Sequence, residues 1–205
     1  MIAIINYGLG NLGSIQNMLR RVGYTDVIIS NSPEEINKAD RLILPGVGAF
    51  DNGMQKINDS GLLDILNEQA LVIKKPILGI CLGMQLLTQG SEEGNLKGLG
   101  WIDAETRKFN FGENIEGLKI PHMGWNEVGI AKDHPLCNNL PKPSRFYFVH
   151  SYYVKCHQIG QELMSCNYGL DFTCAIQQDN IMGVQFHPEK SHKFGMELLK
   201  NFIEL

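Results

Sequence analysis

One cysteine stands at the centre of a glycine-flanked turn, a setting that suits covalent chemistry. The Gly79–Gly83 segment, GICLG, follows the apolar run Ile77–Ile80 and precedes the helix-forming residues Met84–Leu87. Strand, sharp turn and helix in this order are typical of a nucleophile elbow, which exposes a nucleophilic side chain above the end of a sheet. A helix beginning directly after a cysteine also favours its thiolate form. We therefore predict that Cys81 is a nucleophile; the alternative is a buried structural cysteine.

A histidine near the end of the chain is the candidate base. Ile181–Phe186 has the pattern of a short buried strand, His187 follows it, and Pro188 ends the strand because proline cannot donate to the ladder. Glu189 lies two residues after His187, and in an extended chain side chains two apart point the same way. Glu189 can therefore hold one ring nitrogen while the other faces Cys81.

A second glycine-rich loop, Pro45–Phe50, follows the apolar strand Leu42–Leu44. A tight turn into a helix is the ordinary interpretation, and a phosphate-binding loop is disfavoured because the P-loop lysine and hydroxyl are missing. We predict an oxyanion hole in which the backbone N–H of Val47 or Gly48 acts together with that of Leu82.

Together these motifs resemble the class I (triad) glutamine amidotransferases. Within that family the chain is similar to the glutaminase subunits of imidazole glycerol phosphate synthases. Four further segments are typical of that subfamily: Asn6–Asn11, Pro121–Asn126, Phe146–Tyr153 and His187–Ser191. The resemblance implies glutamine hydrolysis through a cysteine thioester by Cys81, His187 and Glu189, without a metal or an organic cofactor.

The resemblance also assigns residues to the amino-acid end of glutamine. These are Gln85, Glu93, His150, Ser151 and Tyr152. Glu93 suits the substrate α-ammonium, although a solvated loop charge is its ordinary interpretation. His150 ends an apolar run and is a competing base, but it has no nearby carboxylate, and so we assign it to the substrate side.

A separate synthase subunit is expected, because free ammonia is mostly protonated at neutral pH and the chain shows no nucleotide loop, second domain or acceptor site of its own. In the family this partner is a (β/α)₈-barrel cyclase, which uses ammonia in histidine biosynthesis. The resemblance implies an interface that includes Asn11, Trp125 and Lys190. Their ordinary interpretations are a helix-start residue, a core indole and a surface charge.

Other functions stay open at this point. The segment Gly100–Glu105 is similar to a branch that feeds ammonia to barrel synthases making amidines on surface sugars. The glutaminase subunit of pyridoxal phosphate synthase differs in the loop at Gly46–Phe50. A non-catalytic subunit would lack the triad, and in an α/β-hydrolase the acid usually precedes the histidine.

Composition and periodicity indicate a single α/β domain over residues 1–205. The net charge of −4 does not favour nucleic-acid binding, and five cysteines without a CxxC pair suit a reducing cytoplasm. No metal site is predicted, and the short apolar run Met1–Ile5 favours a first strand over a leader or a membrane segment. Short apolar strands alternate with helical patterns as far as Ile80, which predicts a mostly parallel sheet flanked by helices. Between Trp101 and Ile176 the pattern predicts additional antiparallel strands, and a last helix begins at Ser191.

Overall fold

The computed structural model describes residues 1–112 and 117–205. Residues 113–116, which fall inside the predicted single domain, lie outside the described part. The helices are α1 (Leu12–Arg21), α2 (Pro33–Lys38), α3 (Phe50–Asp59), α4 (Leu63–Asn67), α5 (Leu82–Leu86) and α6 (His192–Glu204). The strands are β1 (Ile2–Ile5), β2 (Val27–Ser30), β3 (Arg41–Gly46), β4 (Ile77–Cys81), β5 (Ala104–Lys108), β6 (His122–Ile130), β7 (Ser144–His150), β8 (Tyr152–Cys156), β9 (Glu162–Asn167), β10 (Asp171–Gln178) and β11 (Ile181–Val184).

Five strands form a parallel sheet in the order β2-β1-β3-β4-β11. Their carboxyl ends therefore meet at one edge, where open α/β sheets bind their ligands. The burial of β1 and β4 on both faces agrees with this arrangement, because parallel strands are covered by helices on each side.

The second half of the chain extends the sheet with antiparallel strands. β10 pairs with β11, and β9, β6 and β7 follow in that order. β8 pairs with both β10 and β5. The predicted fold class, a mostly parallel sheet with helices and added antiparallel strands, is thus confirmed.

The core lies on both faces of the sheet, as the alternation along β1 illustrates. Ile2 and Ile4 pack with side chains of α1 and α6, whereas Ala3 and Ile5 pack with side chains of α3. Successive strand residues point to opposite faces, so one short apolar strand serves both layers. None of the described helices is long and apolar enough to cross a membrane.

Candidate active site

The turn around Cys81 is strained and tightly packed. Cys81 ends β4 with φ 56° and ψ −113°, a backbone conformation that residues other than glycine rarely adopt. Leu82 begins α5. At Gly83 a Cβ atom would lie 1.8 Å from the carbonyl oxygen of Leu44, and at Gly79 it would lie 2.8 Å from that of Gly83. Glycine at these two positions therefore lets the elbow turn against β3 and places the cysteine at the carboxyl edge of the sheet.

The register of the neighbouring strands brings the other motifs to the same edge. Gly46 at the end of β3 is paired with Cys81, so the loop that continues to Val47 and Gly48 begins beside the cysteine. On the other side Val184 of β11 is paired with Ile80.

His187 and Glu189 form a buried pair. The Nδ1 atom of His187 lies 2.8 Å from Oε1 of Glu189, and the two side chains are only 3% and 1% exposed. The sequence predicts an extended chain over these residues. His187 itself is extended, but Pro188–Lys190 forms a 3₁₀ turn, and the turn still directs the carboxylate toward the ring.

The opposite ring nitrogen of His187 points to the reactive side. Its Nε2 atom has no hydrogen-bond partner within the described residues. Burial by itself lowers the pKa of His187, but interactions with Cys81 and with Glu189 raise it by more, to about 9. A cysteine beside a protonated histidine is the arrangement of a nucleophile paired with a proton donor.

These groups line a cavity of about 350 Å³ at the carboxyl edge of the sheet. Its walls include most of the residues that the sequence assigned to catalysis and substrate: Val47, Gly48, Cys81, Leu82, Gln85, Glu93, His150, Ser151, Tyr152 and His187. Two lining residues, Pro121 and Val149, were not predicted. Within residues 1–112 and 117–205 no group of His, Cys, Asp and Glu side chains is arranged to hold a metal ion.

The predicted oxyanion loop and Glu93 are connected. Gly48 has a φ of 98°, which glycine adopts without strain, and the loop then enters α3. The carboxylate of Glu93 accepts a hydrogen bond of 2.8 Å from the backbone N–H of Phe50, the first residue of α3. Glu93 therefore caps a helix as well as facing the cavity.

Another part of the cavity wall is built from an amide and a neutral histidine. Gln85 donates to the carbonyl oxygen of Tyr152 at 3.2 Å, and Nδ1 of His150 lies 2.8 Å from the same oxygen. Burial lowers the pKa of His150 to about 3, and the nearby His122 and His187 act in the same direction, against the hydrogen bond to the Tyr152 carbonyl. His150 is therefore uncharged near neutral pH and is a poor general base, in keeping with its assignment to the substrate side.

Gln185 contacts the site but was not predicted from the sequence. This fully buried side chain accepts a hydrogen bond from Gln85 at 3.0 Å and donates to Sγ of Cys81 at 3.8 Å. Its position two residues before His187, within the strand that the sequence predicts over Ile181–Phe186, was the available signal, because side chains two apart in a strand share a direction.

The three predicted interface residues lie outside the cavity. Trp125 is 39% exposed, its indole stacks on His192 at 5.5 Å, and Tyr147 contacts it edge-on at 6.3 Å. The ammonium of Lys190 lies 5.7 Å above the Tyr147 ring, so Tyr147 joins Trp125 to Lys190. Asn11 is exposed immediately before α1, a helix that packs against the turn containing Lys190.

Comparisons with known proteins agree with this geometry. The chain matches the family described as "Glutamine amidotransferase class-I" over residues 3–205. "Imidazole glycerol phosphate synthase subunit HisH 2" of Methanococcus maripaludis is 58% identical over 204 residues, which are 100% of this chain and 99% of that protein. The protein of the same name from Pseudomonas aeruginosa is 53% identical over 205 residues, 100% of both chains.

Solved structures show the same fold. PurLQS from Thermotoga maritima superposes with a TM-score of 0.73 at 15% identity, covering 99% of this chain and 97% of that one. The glutaminase domain of Trypanosoma brucei CTPS with bound acivicin superposes with a TM-score of 0.67 at 16% identity, covering 99% and 93%. The family match over almost the whole chain and the two close relatives establish that this chain belongs to the class I glutamine amidotransferases.

Proposed function

We propose that this chain is the glutaminase subunit of an imidazole glycerol phosphate synthase, acting in the cytoplasm as one domain over residues 1–205. The observation that carries the proposal is the cavity in which Cys81 meets His187, with Glu189 behind it. The names of the two relatives, at 58% and 53% identity over the whole chain, support the choice of synthase.

In the first half of the reaction the Cys81 thiolate attacks the side-chain amide carbon of glutamine. A carbon–sulfur bond forms, and the amide oxygen becomes an oxyanion stabilised by backbone N–H groups of Leu82 and of Val47 or Gly48. His187 then gives its Nε2 proton to the amide nitrogen, the carbon–nitrogen bond breaks and ammonia leaves. A pKa of about 9 keeps His187 protonated for this step at neutral pH.

In the second half water cleaves the glutamyl thioester. Neutral His187 accepts a proton from the water, a carbon–oxygen bond forms, and the carbon–sulfur bond breaks to give glutamate and the Cys81 thiolate. Glu189 keeps the ring in one orientation through both halves and stabilises the imidazolium. These steps use only water and the side chains and backbone of the chain.

Recognition of glutamine follows from the charges around the cavity. The carboxylate of Glu93 binds the substrate α-ammonium, and the Ser151 and Tyr152 segment and Gln85 provide polar contacts to the α-carboxylate. His150 orders this wall through the Tyr152 carbonyl rather than exchanging protons.

The ammonia is delivered to a (β/α)₈-barrel cyclase subunit in a heterodimer. The proposed docking surface includes Asn11, Trp125 and Lys190. The support for it is the exposure of Trp125 together with its connection to Lys190 through the Tyr147 ring. Tryptophan and tyrosine are enriched among interface hot spots, and Trp125 and Tyr147 are in contact here.

Covalent labelling tests the nucleophile and the substrate together. The chain is treated with the glutamine analogue 6-diazo-5-oxo-L-norleucine, with and without the barrel cyclase, and the adduct is mapped by peptide mass spectrometry. We expect an adduct on Cys81. Added glutamine should suppress it, and added leucine should not. An adduct that glutamine does not suppress, or no adduct in either condition, would contradict the proposal.

A second test separates the two subunits. The Cys81→Ser variant should lose glutamine-dependent synthesis in the assembled complex while synthesis from added ammonium continues. Loss of both activities in a complex that still forms would show that the division of labour is wrong.

A further inference from the structure

The turn that carries Glu93 is anchored to α3 by a second carboxylate, that of Asp51. Its Oδ1 accepts a hydrogen bond from the backbone N–H of Asn95 at 3.1 Å and from that of Leu96 at 3.0 Å, and its Oδ2 lies 2.9 Å from the Asn95 nitrogen. Bonds to an ionised acceptor are about twice as strong as neutral ones. Asp51 therefore holds the residues directly after Glu93.

The turn and helix α3 are joined by two contacts that run in opposite directions. Glu93 reaches from the turn to the N–H of Phe50, and Asp51, the next residue of α3, reaches back to the turn. Gly94 lies between the two: a Cβ there would be 1.9 Å from Oδ1 of Asp51. The absence of a side chain at this position lets the turn approach the carboxylate closely.

Other contacts of the turn do not replace the anchor. The Glu93 N–H donates to the Ser91 hydroxyl at 3.0 Å, which is a bond within the turn itself. Glu92 is tied to β5 through its N–H and through the N–H of Lys108, on the side before Glu93. After the turn the chain is held again by Leu96, which packs against the core, and by Leu99, whose N–H donates to the Leu86 carbonyl oxygen at 2.8 Å. Asp51 fixes the backbone between Glu93 and this second attachment.

We propose that Asp51 is a positioning residue for glutamine: it fixes the turn so that the Glu93 carboxylate stays in the cavity, where it meets the substrate α-ammonium. This inference rests on the role of Glu93 in the proposed function. Asp51 is not among the residues that line the cavity, and it acts through backbone N–H groups. Its contribution is preorganisation, since an ordered Glu93 need not be immobilised when glutamine binds.

Two alkylating probes of Cys81 distinguish this role from a general structural one. 6-Diazo-5-oxo-L-norleucine carries the α-ammonium that Glu93 recognises, whereas iodoacetamide does not. We expect Asp51→Ala to lower the rate of alkylation by the glutamine analogue about tenfold, because the variant must order the turn when the analogue binds. The rate of alkylation by iodoacetamide should not change.

Two further variants test which atoms of the Asp51 side chain matter and whether its position in the helix matters. Asp51→Asn keeps the Oδ1 acceptor but puts an NH2 group where Oδ2 lies 2.9 Å from the Asn95 nitrogen, so its rate with the glutamine analogue should fall between those of the parent and Asp51→Ala. Asp59→Ala is the matched control, because Asp59 ends the same helix and, among residues 1–112 and 117–205, its side chain bonds only the exposed Gln55. It should change neither rate.

A double substitution tests whether Asp51 acts through Glu93. In a Glu93→Gln background, Asp51→Ala should cause no further loss with the glutamine analogue. A tenfold loss that persists in that background, or an equal loss with iodoacetamide, would overturn the inference. If Glu93→Gln alone lowers the rate while Asp51→Ala does not, the inference fails and the proposed function stands. If Glu93→Gln has no effect, the substrate role of Glu93 fails and the inference with it.

Discussion

His122 and His150 are buried partners across β6 and β7, with Nδ1 of His122 2.9 Å from Nε2 of His150. The Tyr152 carbonyl can only accept, so Nδ1 of His150 carries a proton and its Nε2 accepts from Nδ1–H of His122. Burial lowers the pKa of His122 to about 4. Both rings are therefore neutral near pH 7, and each has one defined tautomer.

We predict that His122→Phe destabilises the fold by about 1–3 kcal/mol, because it leaves the buried Nε2 of His150 without a donor. Phenylalanine can retain the stacking of this ring on Phe148 at 4.8 Å and on Tyr168 at 4.0 Å, so the lost hydrogen bond dominates. Urea unfolding measures the change. The double variant His122→Phe/His150→Phe should recover part of the loss, and a greater loss in the double variant would contradict this explanation.

The same substitution gives a pH-dependent prediction. In the unfolded chain His122 titrates near 6.5, and in the folded chain near 4, so folding disfavours its protonation. His122 therefore contributes a loss of stability as the pH falls from 6.5 toward 4, and a variant with phenylalanine at this position lacks that contribution while keeping the one from His150, whose pKa is also lowered. The destabilisation caused by His122→Phe should shrink over that interval and stay constant between pH 7 and 8. Urea midpoints measured from pH 4 to 8 check this, and a difference that grows in acid would refute it.

The turn around Cys81 and the pairing of His187 with Glu189 were predictable because these residues lie in local motifs. A strand, a glycine turn and a helix surround Cys81, and a proline follows His187, so each motif can be recognised in a few residues. The α/β class was predictable for the same reason, from short apolar runs and helical periods. Helix α2 was not, because its six residues bury only Ile36 and give no periodic pattern.

The remaining contacts depend on register and on distant segments. The pairing of His122 with His150 requires the alignment of two antiparallel strands, which the sequence does not specify. The anchor between Asp51 and Leu96 joins residues 45 positions apart, one of them in an irregular turn. Gln185 reaches Cys81 because β11 and β4 are parallel and in register at Val184 and Ile80.

Gln185 gives a prediction about catalysis. Gln185→Leu removes a donor to Cys81 Sγ and the acceptor for Gln85, and we expect glutamine-dependent kcat/KM to fall roughly 10- to 100-fold, the range for a lost bond to a charged group. Gln161→Leu is the matched control, since Gln161 is a buried amide bonded to Gln178. Steady-state glutamate release compares the two, and an equal fall in both would mean that Gln185 acts only through stability.

The docking surface can be tested with two lysines in similar settings. The ammonium of Lys190 lies over the Tyr147 ring next to Trp125, and that of Lys193 lies 5.1 Å above Phe194. We expect Lys190→Ala and Trp125→Ala each to weaken binding of the barrel cyclase by about 30-fold, the effect of a hot-spot side chain, and Lys193→Ala to have little effect. Isothermal titration calorimetry with the cyclase provides the affinities. Equal weakening by Lys193→Ala would show that charge, rather than this cluster, drives docking.

The elbow predicts a large difference between two glycine-to-alanine substitutions. At Gly83 the new Cβ would lie 1.8 Å from the Leu44 carbonyl oxygen, and β3 must shift to accommodate it. We expect Gly83→Ala to lower the free energy of unfolding by about 3 kcal/mol and to displace Cys81, because overpacking against backbone cannot relax through a rotamer change. At Gly13 in α1 a new Cβ would meet no described atom within 4 Å outside the helix's own backbone, and Gly13→Ala should raise stability by about 0.5–1 kcal/mol. Urea unfolding of both variants measures these changes, and similar stabilities would mean that the elbow tolerates a side chain and that its glycine is not required for the turn.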